Sequence, residues 1–275
     1  MLTLAFDTSS KTTAVALLQD DVILYDTIIN VGLNHSEVLL PAIDQACLQT
    51  RIKIAEIDLF ACTIGPGSFT GLRIGVSTLK GLMLATGKPA VGISSLAALA
   101  LNVSKSSKII CSVMDAGRGQ VYIACYRYNK NGLLDHMGTE KAVDPREIIH
   151  NPEQEMIFVG DGAIKYAGVI SNTKTKKINI ASAAQQYIRA SSVGILGREK
   201  YNRNELLNAE TFVPVYLRSA DARVKKALFE KLLFSRIMRS LYFVQKFLNF
   251  FIVRVPRKDK IKTFDYIFNI YNIRI

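Results

Sequence analysis

LTLAFDTSSKTTAVALLQDDVILYDTII, residues 2–29, decides how the rest of this chain is read. Residues 2–7 are an apolar run that stops on an acid, Asp7. Residues 13–19 and 22–29 are two further β-rich runs joined at the polar turn Gln19-Asp20-Asp21. Short apolar and β-branched runs bounded by turn residues read as strands. The chain therefore opens on a three-stranded meander whose first strand carries a carboxylate at its end.

Working outward, apolar residues at Val38, Leu39, Ile43, Ala46 and Cys47 recur at helical spacing, with Asn34 or Ser36 placed to cap the helix. Residues 57–64 read as a buried strand, broken by Gly65-Pro66-Gly67-Ser68. Ser68 is placed to cap a helix over 69–85, and Ser94 or Ser95 to cap another reaching about 101, after a short strand at 90–93. Polar residues 102–107 read as a lobe boundary. The theme then returns. Residues 108–114 form a strand ending at Asp115, Gly117-Arg118-Gly119 turns the chain, and 120–128 comes back. Residues 156–160 read as a strand, a short helix follows from Ala163, 191–201 as a helix, and 214–218 as extended. Two copies of a meander ending on an acid, followed by helices and strands, predict an α/β fold of two duplicated lobes with mixed sheets covered by helices. The expected divisions are 1–103, 104–224 and a tail, 225–275.

The 275 residues are 49% hydrophobic, ordinary for a globular core, and carry a net charge of +12. The tail holds twelve basic residues against three acidic ones, or +9 of that total, so the body is nearly balanced. Net charge bears on non-specific association rather than on fold. The tail, with runs such as LYFVQKFLNFFIVRV at 241–255, has three readings: an amphipathic helix on an anionic membrane, an RNA contact, or acquired sequence with little selected function. Arg239, Lys246 and Arg254 interrupt any membrane span there. The N-terminus has no basic region ahead of its apolar run, which favours a cytoplasmic protein. Cys47, Cys62, Cys111 and Cys125 form no closely spaced pair and read as buried reduced thiols.

Few residues carry chemistry. Asp7-Thr8-Ser9 at a strand end suits either a metal-bound phosphate or a self-capped turn. The glycine run from Gly65 to Arg73 suits either an anion at a helix N-terminus or a tight turn that seats the helix. It lacks the Gly-Lys-Ser/Thr of a P-loop and the serine placement of a hydrolase elbow. His35, His136 and His150 show no ligand spacing, so no metal site is expected. In the helix over 69–85, Phe69, Leu72, Ile74, Val76, Leu79, Leu82, Met83 and Leu84 spread round more than one face. Gly71, Gly75 and Thr78 notch another. A helix apolar nearly all round is buried nearly all round. The notch invites a close neighbour, from within the chain or from a partner.

AFDTSS at 5–10, NHSEVLLP at 34–41, GPGSFTGLRIGVSTLKGL at 65–82, DAGRGQVY at 115–122 and PVYLR at 214–218 occur in an order and spacing that resembles the TsaB (YeaZ) family over about residues 1–220. The resemblance implies the two-lobed fold of the actin-like, sugar-kinase and heat-shock ATPase superfamily, with duplicated RNase-H-like lobes. It implies a non-catalytic subunit that pairs with the catalytic TsaD and the ATPase TsaE. The complex transfers threonylcarbamoyl to N6 of adenosine 37 in tRNAs reading codons that start with A. It also implies that the helices near 36–49 and 69–85 form the face that docks on TsaD, or on a second copy, with His35, Leu39, Ile43, Gly71, Gly75, Thr78 and Leu82 at that face. The catalytic relative carries an HxxxH metal pair where this chain has His35 and Leu39. No catalytic residue or cofactor is then expected of this chain, and any nucleotide would sit at the interface of the complex. Two competing readings are an autonomous ATP-using enzyme working through Asp7 and the glycine turn, and an adaptor working through the tail. The family normally stops shortly after PVYLR, so the tail lies outside the resemblance.

Overall fold

The computed structural model describes residues 1–148, 154–171, 177–208 and 211–218. The readings made for the 225–275 tail lie outside the described residues. The first sheet contains β1 (Leu2–Asp7), β2 (Thr13–Gln19), β3 (Val22–Ile29), β4 (Leu59–Gly65) and β5 (Ala90–Ser94) in the order β3-β2-β1-β4-β5. The second contains β6 (Ile109–Gly117), β7 (Gln120–Tyr128), β8 (Leu134–Val143), β9 (Met156–Val159) and β10 (Ile178–Ile180) in the order β8-β7-β6-β9-β10. In each, the first strand is antiparallel to the second and parallel to the fourth. Strand for strand the second sheet repeats the first, as the doubled sequence pattern predicts.

Six α-helices connect and cover these sheets among the described residues: α1 (His35–Thr50), α2 (Phe69–Thr86), α3 (Ser95–Ala100), α4 (Asp161–Lys165), α5 (Ala167–Ser171) and α6 (Ala190–Asn202). Ser68 and Ser94 cap α2 and α3, accepting from Gly71 N and Ala97 N. Such caps satisfy amides that the first helical turn leaves unpaired. Asn34 precedes α1 but spends its amide on Glu37 Oε1.

Strands β1, β2, β4 and β5 of the first sheet are buried on both faces, with side chains alternating between them, whereas the edge strand β3 is exposed or half-buried. Leu4, Phe6, Val15, Leu17, Phe60 and Cys62 enter one core with α1 and α2. Ala5, Ala14, Ala16, Leu18, Ala61 and Val91 enter the other with α3 and α6. The second half of the chain also covers this face. Helix α6 packs across β1, β2, β4 and β5 of the first sheet. The segment after it follows: Leu207 N donates to Ala90 O, Val215 N donates to Ile64 O, and Phe212 joins the α1–α2 core. The physical reason is the bare apolar face itself, which the short α3 alone leaves uncovered. The alanines let α6 lie close, and Gly194 and Gly197 face Leu18 and Ala61 with no room for a Cβ.

Two strands escape the sequence reading. β8 is an edge strand whose residues are mostly exposed or half-buried, so it shows no apolar alternation. β10 is an edge of three residues. The 214–218 stretch has no regular secondary structure.

Candidate functional site

A cleft of about 740 Å³ opens between the lobes. Ser9, Ser10 and Lys11 reach it from the turn after β1, and Gly67, Ser68 and Phe69 from the start of α2. Asp115, Gly117 and Arg118 reach it from the end of β6, Asp161 from α4, and Tyr216 and Arg218 from the last described segment. Both acid-ended strands thus lead to one place.

Asp7 itself does not line the cleft. Its side chain is fully buried, and Oδ1 accepts from Ser9 N (3.0 Å), Ser9 Oγ (2.6 Å) and Thr63 Oγ1 (2.5 Å). Oδ2 has no partner. Burial pushes the carboxyl up from its usual range, with the hydrogen bonds from Ser9 and Thr63 working against that rise. Thr8 is also buried, and its hydroxyl donates to Gly71 O at 2.8 Å. Ser9 O accepts from Ser68 N at 2.7 Å. The turn after β1 is therefore sewn to the N-terminus of α2. Asp7 and Thr8 sit behind the cleft wall; of the three, Ser9 alone lines the cleft.

The same stitching fills the notch in α2. A Cβ on Gly75 would stand 2.5 Å from Thr8 Oγ1, and one on Gly71 or Gly67 would run into the Thr8 or Ser9 carbonyl. The close neighbour is internal. Of the residues expected at a partner-docking face, Leu39, Ile43, Thr78 and Leu82 are 0% exposed and Gly71 and Gly75 are buried. They form the underside of α1 and α2, against the sheet. The exposed positions on these helices include Pro41, Gln45 and Leu48 on α1 and Thr70 and Arg73 on α2. The signal was present in the sequence: 41, 45 and 48 repeat at helical spacing opposite the Leu39–Ile43 stripe.

His35 is half-buried and lines the cleft. Its Nε2 lies 3.0 Å from Ser10 O, a pure acceptor, so Nε2 carries the proton. Its Nδ1 then accepts from Thr13 Oγ1 at 2.8 Å.

The second lobe offers two acids of opposite tendency. Burial disfavours the Asp115 carboxylate, but Lys165 Nζ at 2.8 Å and the Gly117 amide at 3.0 Å outweigh it and hold the group below its usual range. Burial pushes Asp161 up, although its Oδ1 accepts from Asp115 N. Arg218 Nη1 donates to Ala116 O at 2.8 Å, tying the last described segment to the β6–β7 turn. The Tyr216 ring packs against Phe69 in a tilted arrangement, centroids 4.8 Å apart, and its hydroxyl accepts from Arg73 Nε at 3.3 Å. Among the described residues no cluster of three or more His, Cys, Asp or Glu is placed to hold a metal. Lys11, Arg118 and Arg218 thus stand in a wall shared with Phe69, Met114, Tyr122 and Tyr216, and the two acids there, Asp115 and Asp161, are engaged with Lys165 and the backbone.

A family model described as TsaD, tRNA N6-adenosine threonylcarbamoyltransferase, matches residues 30–226. The tRNA threonylcarbamoyladenosine biosynthesis protein TsaB of Bacillus subtilis is 34% identical over 228 residues, covering 82% of this chain and 97% of the relative. The chain belongs to the TsaB family. The TsaB of Escherichia coli is 30% identical over 59% of this chain and 72% of the relative. The structure of YeaZ from Pseudomonas aeruginosa superposes with a TM-score of 0.68 at 26% identity, covering 78% of this chain and 99% of that one. These TsaB relatives tie the chain to tRNA threonylcarbamoyladenosine biosynthesis. Among the described residues no helix is long and apolar enough to cross a membrane.

Proposed function

We propose that this chain is the non-catalytic partner subunit of a tRNA threonylcarbamoyltransferase complex. It pairs with a TsaD-like catalytic subunit, works with a TsaE-like ATPase, and meets tRNA through that complex in the cytoplasm. The observation that carries this reading is His35. A metal ligand needs a free imidazole lone pair. Here Nε2 carries a proton committed to Ser10 O, and Nδ1 is committed to the Thr13 hydroxyl. Four residues on, Leu39 is an apolar side chain in the core. The position that would hold a metal in a catalytic relative is spent here on fixing the turn after β1.

The outward positions of α1 and α2 are the face that meets the TsaD-like subunit, or a second copy when that subunit is absent. Any nucleotide belongs to the interface of the complex, because Asp7 and Thr8 lie behind the wall of this chain's own cleft. The same burial speaks against an autonomous ATP-using enzyme.

The test is reconstitution with a TsaD-family enzyme, a TsaE-family ATPase, threonylcarbamoyl-AMP and tRNA, read by nucleoside mass spectrometry. The chain alone leaves tRNA unmodified, and leaving it out of the mixture lowers turnover at least about tenfold, a difference of about 1.4 kcal/mol in barrier. Modification by the chain alone, or full turnover without it, overturns the proposal.

A further inference from the structure

Cys111 on β6 stands directly opposite Cys125 on β7 in the antiparallel register. Their Sγ atoms are in contact at 2.6 Å, and both thiols are free. Opposed residues in antiparallel strands have Cα spacings of about 4.5–5.5 Å, within the ~4.4–6.8 Å that a disulfide spans. No backbone movement is needed to join them. Cys111 is buried with Val113, Val121, Ile123 and Phe158, whereas Cys125 is half-buried and open to a small reagent. The hairpin they share carries Gly117 and Arg118 into the cleft.

We propose that Cys111 and Cys125 are an oxidative modification site, a dithiol that a hydroperoxide converts to a cross-strand disulfide stapling the β6–β7 hairpin. Cys125 is the attacking thiol. The hydrogen bond from Cys111 lowers its pKa despite burial, and raises that of Cys111. The Cys125 thiolate attacks one oxygen of hydrogen peroxide. An S–O bond forms, the O–O bond breaks, and hydroxide leaves to be protonated to water. Cys111 then loses its proton and attacks Cys125 Sγ. The S–S bond forms, the S–O bond breaks, and a second water leaves. The two sulfurs together give up two electrons and the peroxide takes them. A small thiol reverses the step by exchange. Because the second sulfur is already in contact, closure outruns further oxidation of Cys125.

The experiment takes the full chain, reduced and then treated with a small excess of hydrogen peroxide, alkylated and mapped without reduction. The expected product is a peptide pair joined at Cys111 and Cys125, lighter by two hydrogens. Cys47 and Cys62 stay alkylatable in denaturant, and dithiothreitol restores all the thiols. Amide exchange across 115–122 slows in the oxidised form. Cys125→Ser gives no linked peptide. Sulfinic acid on Cys125 with Cys111 still free, an unchanged thiol count, or a bond between any other pair overturns the proposal. The mapping of the unmodified chain decides it without reliance on how the variant folds.

Discussion

Gly75 and Thr8 meet with no space for a methyl group between them: a Cβ on Gly75 would lie 2.5 Å from Thr8 Oγ1, with Cys62 Sγ next at 3.2 Å. Thr8 in turn holds Gly71 O, so α2 cannot retreat without losing that bond. Gly75→Leu is therefore a folding mutation of the first lobe. Overpacking of a close-packed core costs about 1–3 kcal/mol, and a whole isobutyl group here belongs at or above the upper end. Thermal unfolding should show a large drop in Tm, with any loss of pairing following from it. A variant with unchanged Tm would refute the internal packing of this face.

Pairing is better probed at Leu48. It is 67% exposed at the outer end of α1, on the stripe with Pro41 and Gln45. Leu48→Asp should change the stability of the isolated chain by no more than about 0.5 kcal/mol, as is usual for surface sites. Affinity for a TsaD-like subunit should fall about tenfold or more, since a bare charge is then buried without a partner. Titration calorimetry against the folded variant checks this. Unchanged affinity removes the outer stripe of α1 from the docking face.

Asp7 gives a pH prediction. Its folded pKa is raised, mainly by burial, above that of an unfolded aspartate. Below the unfolded value both states are protonated and the group is neutral to stability. Between the unfolded value and the raised folded value only the unfolded state ionises, so Asp7 subtracts stability as pH rises, and the loss is complete once pH has passed the folded value. Asp7→Asn keeps the Oδ1 acceptor for Ser9 and Thr63 and removes the charge. The variant should be more stable than the parent at neutral pH, with the gap closing as pH falls into the carboxylate range. Urea unfolding at several pH values measures it; a gap independent of pH would show that burial of the charge is not the controlling effect.

These predictions also mark what the sequence could show. The strand at 2–7, the caps Ser68 and Ser94 and the doubled meander were legible because each rests on neighbours along the chain. The notch at Gly71, Gly75 and Thr78 was legible as a notch, but periodicity does not say what fills it; that depends on Thr8, brought in by the sheet. In the same way Leu39 and Ile43 were recognisable as an apolar stripe, and only the packing shows that the stripe faces the core. β8 was silent because an exposed edge needs no apolar pattern. The cleft was silent for another reason: Ser9, Arg118 and Arg218 come from segments roughly a hundred residues apart, and no local signal links them.

The tie between α6 and the first sheet reaches across 165 residues of chain. Arg189 precedes α6 and offers it no side-chain cap. Asp26 on β3 supplies one from elsewhere in the chain: Oδ1 accepts from Ser191 N at 3.4 Å, while Oδ2 accepts from Ser191 Oγ at 2.6 Å and from Arg189 Nε at 3.2 Å. Its side chain is only 9% exposed, so water does not replace these bonds cheaply. Asp26→Ala should cost about 1–2 kcal/mol as a lost cap, and more to the extent that Ser191 is left unpaired. Asp26→Asn, which keeps one acceptor, should fall between. Asp21, 79% exposed and paired with Arg198, is the control: an exposed ion pair contributes about 0–1 kcal/mol, so Asp21→Ala should barely register. Hydrogen exchange resolves the mechanism. If Asp26 works by seating α6, amides in 190–202 should lose protection first in Asp26→Ala, ahead of β1 and β4. Uniform loss across the lobe would instead mean that α6 opens only when the whole first sheet does, and that the cap is incidental to its docking.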